Sequence, residues 1–341
     1  MARFKEQNVD IIIEKDAFSI FLKDLKVELD ISKVFIIATS SLDQDKINHV
    51  VDNARFDSAV FYLNSFTDPT EDSVREAARA FRNSQADTII GIGGGSVIDL
   101  AKAIVYENIT NRPNLILVPT TYAGTELTKG FMIVRADHTK KSVYDVAVQP
   151  DIIIVDPTLA LTLPKRISEV VALDAMTHCL EGATSSLRNP IAEGSALYGV
   201  QLALKHLPPK QIDYQWREDM AIVGLLGSKA MDCGLGHIHT ITYAIANNTD
   251  LSHGELNCLF APWVIAKTLE KDPDVYQHTP IEQILVVYKQ YILEWDLISR
   301  YKKQHQDRFI AQAVQDSAYI SHPVPFTAQD FQNIFDDILS D

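Results

Sequence analysis

The second half of the chain contains residue types that bind divalent metal ions. Asp174 and His178 are four residues apart in an apolar stretch, so on a helix their side chains point from the same face. Three further histidines follow at His237, His239 and His253. Three imidazoles and a carboxylate suit Fe²⁺ or Zn²⁺, and a coordination position left open for substrate would make the ion a Lewis acid. This pattern predicts a catalytic metal site.

A structural role competes with metal binding for each of these residues. A single histidine is more often a solvated or hydrogen-bonded residue than a ligand. The set as a whole favours a metal, because the Asp174 carboxylate lies in an otherwise apolar helix and needs a partner to offset its desolvation. His237 and His239 share a face only if their segment is extended, so the spacing leaves open which of them is a ligand.

A second candidate site is the stretch of residues 88–104, which has the pattern of a buried strand, a glycine turn and a helix. Three consecutive glycines remove every Cβ at the turn, so a phosphate could approach the N–H groups at the positive end of the helix. Ser96 is the predicted N-cap. The candidate contacts are Gly93, Gly94, Gly95, Ser96, Asp99 and Lys102. The stretch matches neither GxGxxG nor GxxxxGK(S/T), so by itself it predicts a phosphate or dinucleotide site.

Strand-like and helical segments alternate around this turn up to about residue 157, which predicts a parallel sheet with right-handed crossovers. The predicted strands cover residues 9–13, 34–38, 59–63, 88–92, 114–121, 131–135, 141–148 and 152–155. The strand at 114–121 ends in Thr120 and Thr121, at the edge where a doubly wound sheet binds ligands, so both are candidate cofactor contacts. Lys141 is a further candidate, with Lys140 beside it; at least one of this pair is expected to face water.

The remainder of the chain has helical periodicity. The predicted helices cover residues 167–186, 191–206, 214–235, 281–304 and 327–339. We therefore expect two domains. Residues 1–162 are predicted to form an α/β dinucleotide-binding domain with a Rossmann-like parallel sheet, and residues 163–341 an all-α domain that binds the metal and the substrate.

Composition excludes several classes of partner. The net charge is −14 and no basic cluster stands out, which argues against nucleic-acid binding. Three scattered cysteines cannot form a disulfide framework and suit a reducing compartment. The sequence has no apolar run of about 18 residues, and its first residues lack the apolar core of a signal peptide. We expect a cytoplasmic protein with no membrane partner that acts on a small molecule.

The motifs of the first half resemble those of the iron-containing (group III) alcohol dehydrogenase family. The glycine turn with the helix that follows it resembles the family's pyrophosphate loop. The segment Pro119-Thr120-Thr121 resembles its cofactor-side strand end, and Asp156-Pro157 resembles its domain junction. The resemblance runs over nearly the whole chain, from about Val9 to the start of the last predicted helix.

The resemblance extends to the predicted metal ligands. Asp174 with His178 resembles the family's first ligand pair, and His239 with His253 resembles the second. These four residues are therefore the implied ligands, and His237 becomes a neighbour. The family implies an NAD(P)-dependent oxidoreductase that transfers hydride between a nicotinamide cofactor and a primary or secondary alcohol, or an aldehyde or ketone. It also implies a homodimer or a larger homo-oligomer.

The sequence departs from the family at three places. Tyr243 stands where many members have a second histidine that is associated with relay of the alcohol proton; a tyrosine can also donate a proton, but it is a poorer relay at neutral pH. Thr39 follows the second predicted strand, where NAD-preferring members often have an aspartate, so NADP is compatible as well as NAD. Residues 119–128 are nearer to the maleylacetate reductase branch than to simple alcohol dehydrogenases.

Three alternatives to an alcohol dehydrogenase stay open. The nearest is a maleylacetate reductase-like oxoacid reductase. Another is a sugar-phosphate cyclase similar to dehydroquinate synthase, which also uses a nicotinamide cofactor and a metal but shows no net change in the cofactor. The third is a non-catalytic protein that keeps the fold.

Overall fold

The first half of the chain is built on a seven-stranded sheet in the computed structural model. The structure describes residues 2–6, 8–40, 42–64, 68–122, 124–136, 140–246, 249–301, 306–314 and 317–340. Within these residues, the sheet order is β1-β2-β9-β6-β5-β3-β4, and a separate hairpin consists of β7 and β8. The strands are β1 Ala2–Glu6, β2 Val9–Ile13, β3 Lys33–Thr39, β4 Ser58–Asn64, β5 Thr88–Gly93, β6 Asn114–Pro119, β7 Gly130–Val134, β8 Lys140–Tyr144 and β9 Ile152–Val155.

The central strands are parallel and almost entirely buried. Strand β5 pairs in parallel with β3 and β6, while β1 is antiparallel to β2. Ile89, Ile90 and Ile92 of β5 are completely buried, as expected for β-branched residues in a parallel strand that is covered on both faces. Since β3, β5 and β6 run in the same direction, their carboxyl ends meet at one edge of the sheet.

In the described part of the first half, four α-helices connect these strands, and the last of them follows the glycine turn. They are α1 Ala17–Glu28, α2 Gln44–Ala54, α3 Glu71–Ser84 and α4 Gly95–Tyr106. The N-terminus of α3 is capped by a reciprocal pair, in which Thr70 accepts from the Ser73 backbone and Ser73 accepts from the Thr70 backbone. Helix α4 has Gly94 as its N-cap and no side-chain cap, so the prediction that Ser96 caps this helix is wrong.

Among the described residues of the second half, the regular elements are all helices. Its helices are α5 Lys165–Thr184, α6 Pro190–His206, α7 Tyr214–Met231, α8 His237–Ile245, α9 His253–Lys271, α10 Ile281–Glu294, α11 Leu297–Arg300, α12 Gln306–Ala313 and α13 Ala328–Ser340. The helix predicted over 281–304 is interrupted, because Asp296 has a left-handed backbone (φ 50°) between α10 and α11. No described helix combines the length and the apolar composition that a membrane span needs.

The chain divides into two compact units. One consists of Met1–Leu163 with Asp213–Ala221, and the other of Pro164–Ile212 with Ile222–Asp341. The short segment joins the first unit because the Arg217 guanidinium donates to the Tyr122 hydroxyl at 3.2 Å and to the Leu163 carbonyl at 3.1 Å. The predicted fold class, a Rossmann-like α/β half followed by an all-α half, is confirmed.

Candidate metal site and nucleotide turn

Helices α5, α8 and α9 bring the four predicted metal ligands together. Helix α5 supplies Asp174 and His178 from consecutive turns, α8 supplies His239, and α9 begins at His253. The Oδ1 atom of Asp174 lies 3.8 Å from His178 Nε2, 3.6 Å from His239 Nε2 and 3.8 Å from His253 Nε2. Three imidazole nitrogens therefore surround one carboxylate oxygen.

These separations fit a divalent metal ion. They are too long for direct hydrogen bonds. They are close to the roughly 3.4 Å expected between two ligand atoms that each lie about 2.1 Å from one tetrahedral ion. The ligand atoms of Asp174, His178 and His239 all lie within 4.8 Å of one another. The His253 side chain keeps 27% of its surface exposed, whereas His239 is completely buried, so the cluster is accessible from the His253 side.

The protonation states of Asp174 and His178 favour a bound cation. Burial by itself favours the neutral carboxyl of Asp174, but the His178 and His253 imidazoles outweigh burial and hold its pKa well below the usual range. Burial lowers the pKa of His178 to about 4, which keeps this imidazole neutral at pH 7.

His239 behaves differently from His178. Burial lowers its pKa, but the Glu181 and Asp174 carboxylates outweigh burial and raise the pKa to about 9. A proton therefore competes with a metal ion for His239, and metal affinity should fall as the pH is lowered.

Two neighbours of the ligands were not predicted from the sequence. Glu181, one turn after His178 on α5, has its Oε2 atom 2.6 Å from His239 Nδ1. Asn257, one turn after His253 on α9, donates from Nδ2 to Asp174 Oδ1 at 2.6 Å and lies 3.0 Å from His239 Nε2. Their helical spacing from the ligands was the available signal, since residues three or four apart share a helix face.

The other candidates near the ligands occupy distinct positions. The Tyr243 ring stacks on the His253 ring, with centroids 5.4 Å apart and planes at 24°. It therefore lies beside the ligands. His237 stacks instead on His322, with centroids 3.9 Å apart, and its Nε2 atom lies 3.1 Å from the Val324 carbonyl oxygen. His237 thus belongs to a separate buried cluster.

The glycine turn lies where β5 ends and α4 begins. A Cβ at Gly93 would lie 2.6 Å from Cγ2 of Val97, so a side chain does not fit there. A Cβ at Gly94 would lie 3.0 Å from the Thr121 hydroxyl oxygen, which is a tight contact. Gly94 has no side chain that could cap α4, so the N-terminus of this helix, at Gly95 and Ser96, suits an anion.

The predicted threonines lie at the same edge of the sheet as the turn. Thr120 is buried and donates its backbone N–H to the Gly93 carbonyl at 3.0 Å. Thr39 ends β3, one residue beyond the Ala38 position that pairs with Ile92 of β5. The structure therefore brings the threonines and the glycines together at one edge.

The structure corrects the predicted role of Lys102. This residue is completely buried, and its Nζ atom donates to the carbonyl oxygens of Thr125 at 2.5 Å, Thr128 at 2.7 Å and Gly130 at 3.2 Å. It also donates to the Thr128 hydroxyl at 3.0 Å. An ammonium group has three donors, which these oxygens use. Lys102 therefore holds the loop after β6 in place by hydrogen bonds and does not serve as a phosphate contact.

The structure also distinguishes the two lysines of the hairpin. Lys141 is exposed to solvent. Lys140 retains only 12% of its side-chain surface, and its Nζ atom lies 3.1 Å from Oδ2 of Asp68. Burial raises the pKa of Asp99 to about 7, while the nearby Lys102 and Lys140 charges act in the opposite direction. Lys140, rather than Lys141, is thus the hairpin lysine whose charge acts on the predicted nucleotide contact Asp99.

Glu126 lies in the loop whose carbonyl groups accept from Lys102, and it should make the stability of the protein depend on pH. It is 2% exposed, one of its carboxylate oxygens has no hydrogen-bond partner among the described residues, and burial raises its pKa from 4.5 to about 7. The folded state binds the proton more tightly than the unfolded state, so Glu126 lowers stability as the pH rises from 4.5 through 7.

Glu126→Gln should remove this pH dependence, because glutamine resembles the protonated carboxyl. Relative to the unmodified protein, the variant should gain about 2 kcal/mol of unfolding free energy between about pH 5 and about pH 8. Urea unfolding at both pH values measures the difference. An equal effect of the substitution at both pH values would show that Glu126 does not titrate in this range.

The comparisons with known proteins agree with this arrangement. Residues 8–157 match the family model described as iron-containing alcohol dehydrogenase, and residues 170–288 match the C-terminal model of the same family. A 4-hydroxybutyrate dehydrogenase of Cupriavidus necator is 31% identical over 227 residues, which cover 58% of this chain and 59% of that protein. Maleylacetate reductase 1 of Cupriavidus pinatubonensis is 34% identical over 203 residues, with 58% and 56% covered. The chain thus matches less than two thirds of the length of these relatives.

A solved structure extends the similarity of fold to the whole chain. The iron-containing alcohol dehydrogenase of Thermococcus thioreducens has a TM-score of 0.88 and 18% sequence identity, with 99% of this chain and 100% of that chain covered. At this identity the likeness shows the fold alone. The two family models together span most of the chain, and their order along it is that of the two halves. The chain therefore belongs to the iron-containing alcohol dehydrogenase family, as its motifs predicted.

Proposed function

We propose that this protein is a metal-dependent, NAD(P)-linked oxidoreductase that transfers hydride between a nicotinamide cofactor and a small alcohol or the corresponding aldehyde or ketone. The observation that carries the proposal is the placement of three imidazole nitrogens 3.6 to 3.8 Å from Asp174 Oδ1. Asp174, His178, His239 and His253 would hold the ion, and these donors suit Fe²⁺, the metal of the family's description, or Zn²⁺. A bound divalent ion would supply Lewis-acid polarisation of the substrate oxygen.

The side chains of the chain itself provide the remaining functions. Tyr243 lies against His253 and carries a hydroxyl that can donate or accept the substrate proton. Its role as the proton relay stays a prediction.

In the first unit, the uncapped N-terminus of α4 would hold the cofactor pyrophosphate. Thr39, Thr120 and Thr121 lie at the same sheet edge and offer hydroxyls to the cofactor. Thr39 has no charge to repel a 2′-phosphate, so we propose that both NAD and NADP bind.

A second candidate function is the reduction of an oxoacid. Its support is the match to maleylacetate reductase 1 and to 4-hydroxybutyrate dehydrogenase. The loop after β6 also resembles that of the maleylacetate reductase branch. Under this proposal the substrate carries a carboxylate in addition to the carbonyl that receives hydride.

A substrate panel with defined metal content tests both proposals. Protein stripped of metal and then reloaded with Fe²⁺ or Zn²⁺ is assayed with alcohols, aldehydes, hydroxyacids and oxoacids, each with NAD(H) and NADP(H). We expect metal-restored hydride transfer, and faster turnover of the acids would favour the second candidate. Metal-loaded protein that binds the cofactor but transfers no hydride to any compound would contradict both.

The assembly and the cellular location stay predictions. The family resemblance leads us to propose a homodimer or a larger homo-oligomer in the cytoplasm. Sedimentation of the purified protein measures the first, and fractionation of the source cells measures the second.

A further inference from the structure

Glu181 on α5 contacts both the predicted metal ligand His239 and the backbone of α8, the helix to which His239 belongs. The residue lies on α5, is 3% exposed, and each of its carboxylate oxygens has one hydrogen-bond partner on α8. Oε2 is 2.6 Å from Nδ1 of His239, and Oε1 accepts the backbone N–H of Ile238 at 2.7 Å. One buried side chain therefore contacts both the imidazole and the backbone next to it.

The contact with Glu181 determines which nitrogen of His239 faces the ligand cluster. A carboxylate only accepts hydrogen bonds, so Nδ1 of His239 must carry the proton of this contact. On the other side of the ring, the Asn257 amide group lies 3.0 Å from Nε2 and donates to Asp174 Oδ1. With the proton on Nδ1, the neutral imidazole has its lone pair on Nε2, where it accepts from the Asn257 amide and lies 3.6 Å from Asp174 Oδ1. This is the tautomer that a metal requires.

The backbone contact fixes the start of α8 as well. This helix has Gly236 as its N-cap and no side-chain cap of its own. Its first N–H groups are satisfied from elsewhere, since His237 donates to Nδ1 of His322 at 3.2 Å and Ile238 donates to Glu181. A Cβ at Gly236 would lie 2.7 Å from both Glu181 Oε1 and His322 Nδ1, so the backbone packs closely on these groups.

We infer that Glu181 is a positioning residue that holds His239 in the orientation and tautomer required for metal binding. The inference rests on the proposed metal site and goes beyond it by assigning a function to a residue that is not a ligand. Carboxylate partners of this kind typically change metal affinity by about 10- to 100-fold when they are removed.

Glu181→Gln tests the inference, because the side chain keeps its size while one of the two acceptor oxygens becomes a donor. Metal-free full-length protein is titrated with Co²⁺ against a competing chelator, and the visible spectrum of the bound ion is recorded. We expect affinity to fall by about 10- to 100-fold and the spectrum to change, while binding of NAD(P)H in the first unit stays the same.

Glu169→Gln is the matched control. Glu169 lies on the same helix, is 2% exposed and accepts hydrogen bonds from Lys165 and Tyr291, not from a predicted ligand. Loss of Co²⁺ affinity in Glu181→Gln but not in Glu169→Gln supports the inference. Equal affinity and equal spectra in Glu181→Gln and the unmodified protein overturn it, whereas failure of the unmodified protein to bind Co²⁺ overturns the proposed metal site itself.

A measurement on the unmodified protein covers the case in which Glu181→Gln does not fold. In the Co²⁺-loaded protein, the Nδ1–H proton of His239 is held by a buried carboxylate and should give a slowly exchanging, paramagnetically shifted NMR signal. Assignment of the His239 proton to Nε2, with Nδ1 facing the metal, would overturn the inference without any variant.

Discussion

Replacement of Asp174 by alanine is expected to remove metal binding and hydride transfer together. The Oδ1 atom of Asp174 is the point on which three imidazole nitrogens converge, so without it the cluster consists of neutral or positively charged imidazoles. Turnover should fall by about 10³-fold or more, because the polarising ion supplies several kcal/mol of stabilisation. Elemental analysis of the purified variant measures the metal, and the substrate panel measures turnover.

Nucleotide binding separates this effect from unfolding. The glycine turn lies in the first unit, so Asp174→Ala should bind NAD(P)H with unchanged affinity, as measured by cofactor fluorescence. Asp272→Ala removes an exposed carboxylate after the last turn of α9 and should leave both metal content and turnover unchanged. An Asp174→Ala variant with full activity and no metal would refute the metal-dependent mechanism.

The first pair of predicted ligands follows from a local relation in the sequence. Asp174 and His178 are one helical turn apart, and this relation survives in any fold that keeps the helix. The choice between His237 and His239 could not be made from spacing and depended on the family resemblance. The structure shows what separates them, since α8 directs His239 toward Asp174 and His237 toward His322.

Glu181 and Asn257 could not be assigned before the structure because their roles depend on how helices approach one another. Glu181 shares a face of α5 with His178, but its partner His239 comes from α8. Asn257 contacts ligands on both α5 and α8. No periodicity within one helix reports such a contact. The orientation of a ligand is thus harder to predict than its identity.

The predictions for the lysines of the first unit also failed because they depend on contacts between separate elements. The strand, glycine turn and helix were predicted correctly, because each has a local pattern. The spacing of Asp99 and Lys102 places them on one helix face but does not show that a loop beyond β6 supplies the oxygens that surround the lysine. For the hairpin, alternation predicts that Lys140 and Lys141 face opposite sides, but not which side each faces.

Replacement of Lys102 by methionine is expected to have the largest effect on stability. Methionine fills a similar volume but cannot donate to the carbonyls of Thr125, Thr128 and Gly130, which would be left buried without this partner. The Thr128 hydroxyl can still donate to the carbonyl of Thr125 or of Gly130, so two of the three carbonyls lose their donor. Each unsatisfied buried acceptor costs about 1 to 3 kcal/mol, so the loss should be at least about 2 kcal/mol. Urea unfolding measures it, and cofactor fluorescence should show weaker nucleotide binding because the same loop carries Thr120 and Thr121.

Two further variants test whether the loss of stability in Lys102→Met comes from the buried charge of Lys102. Lys141→Met removes an exposed lysine from the hairpin and should change stability by less than about 0.5 kcal/mol.

Lys102 also opposes the rise in the pKa of Glu126, so its removal should move the pH-dependent loss of stability to higher pH. Adding Glu126→Gln to Lys102→Met should remove the part of that pH dependence that comes from Glu126 and leave the part that comes from Asp99. The second substitution should not restore the lost hydrogen bonds. Lys102→Met with the stability of Lys141→Met would show that the loop does not depend on this buried ammonium group.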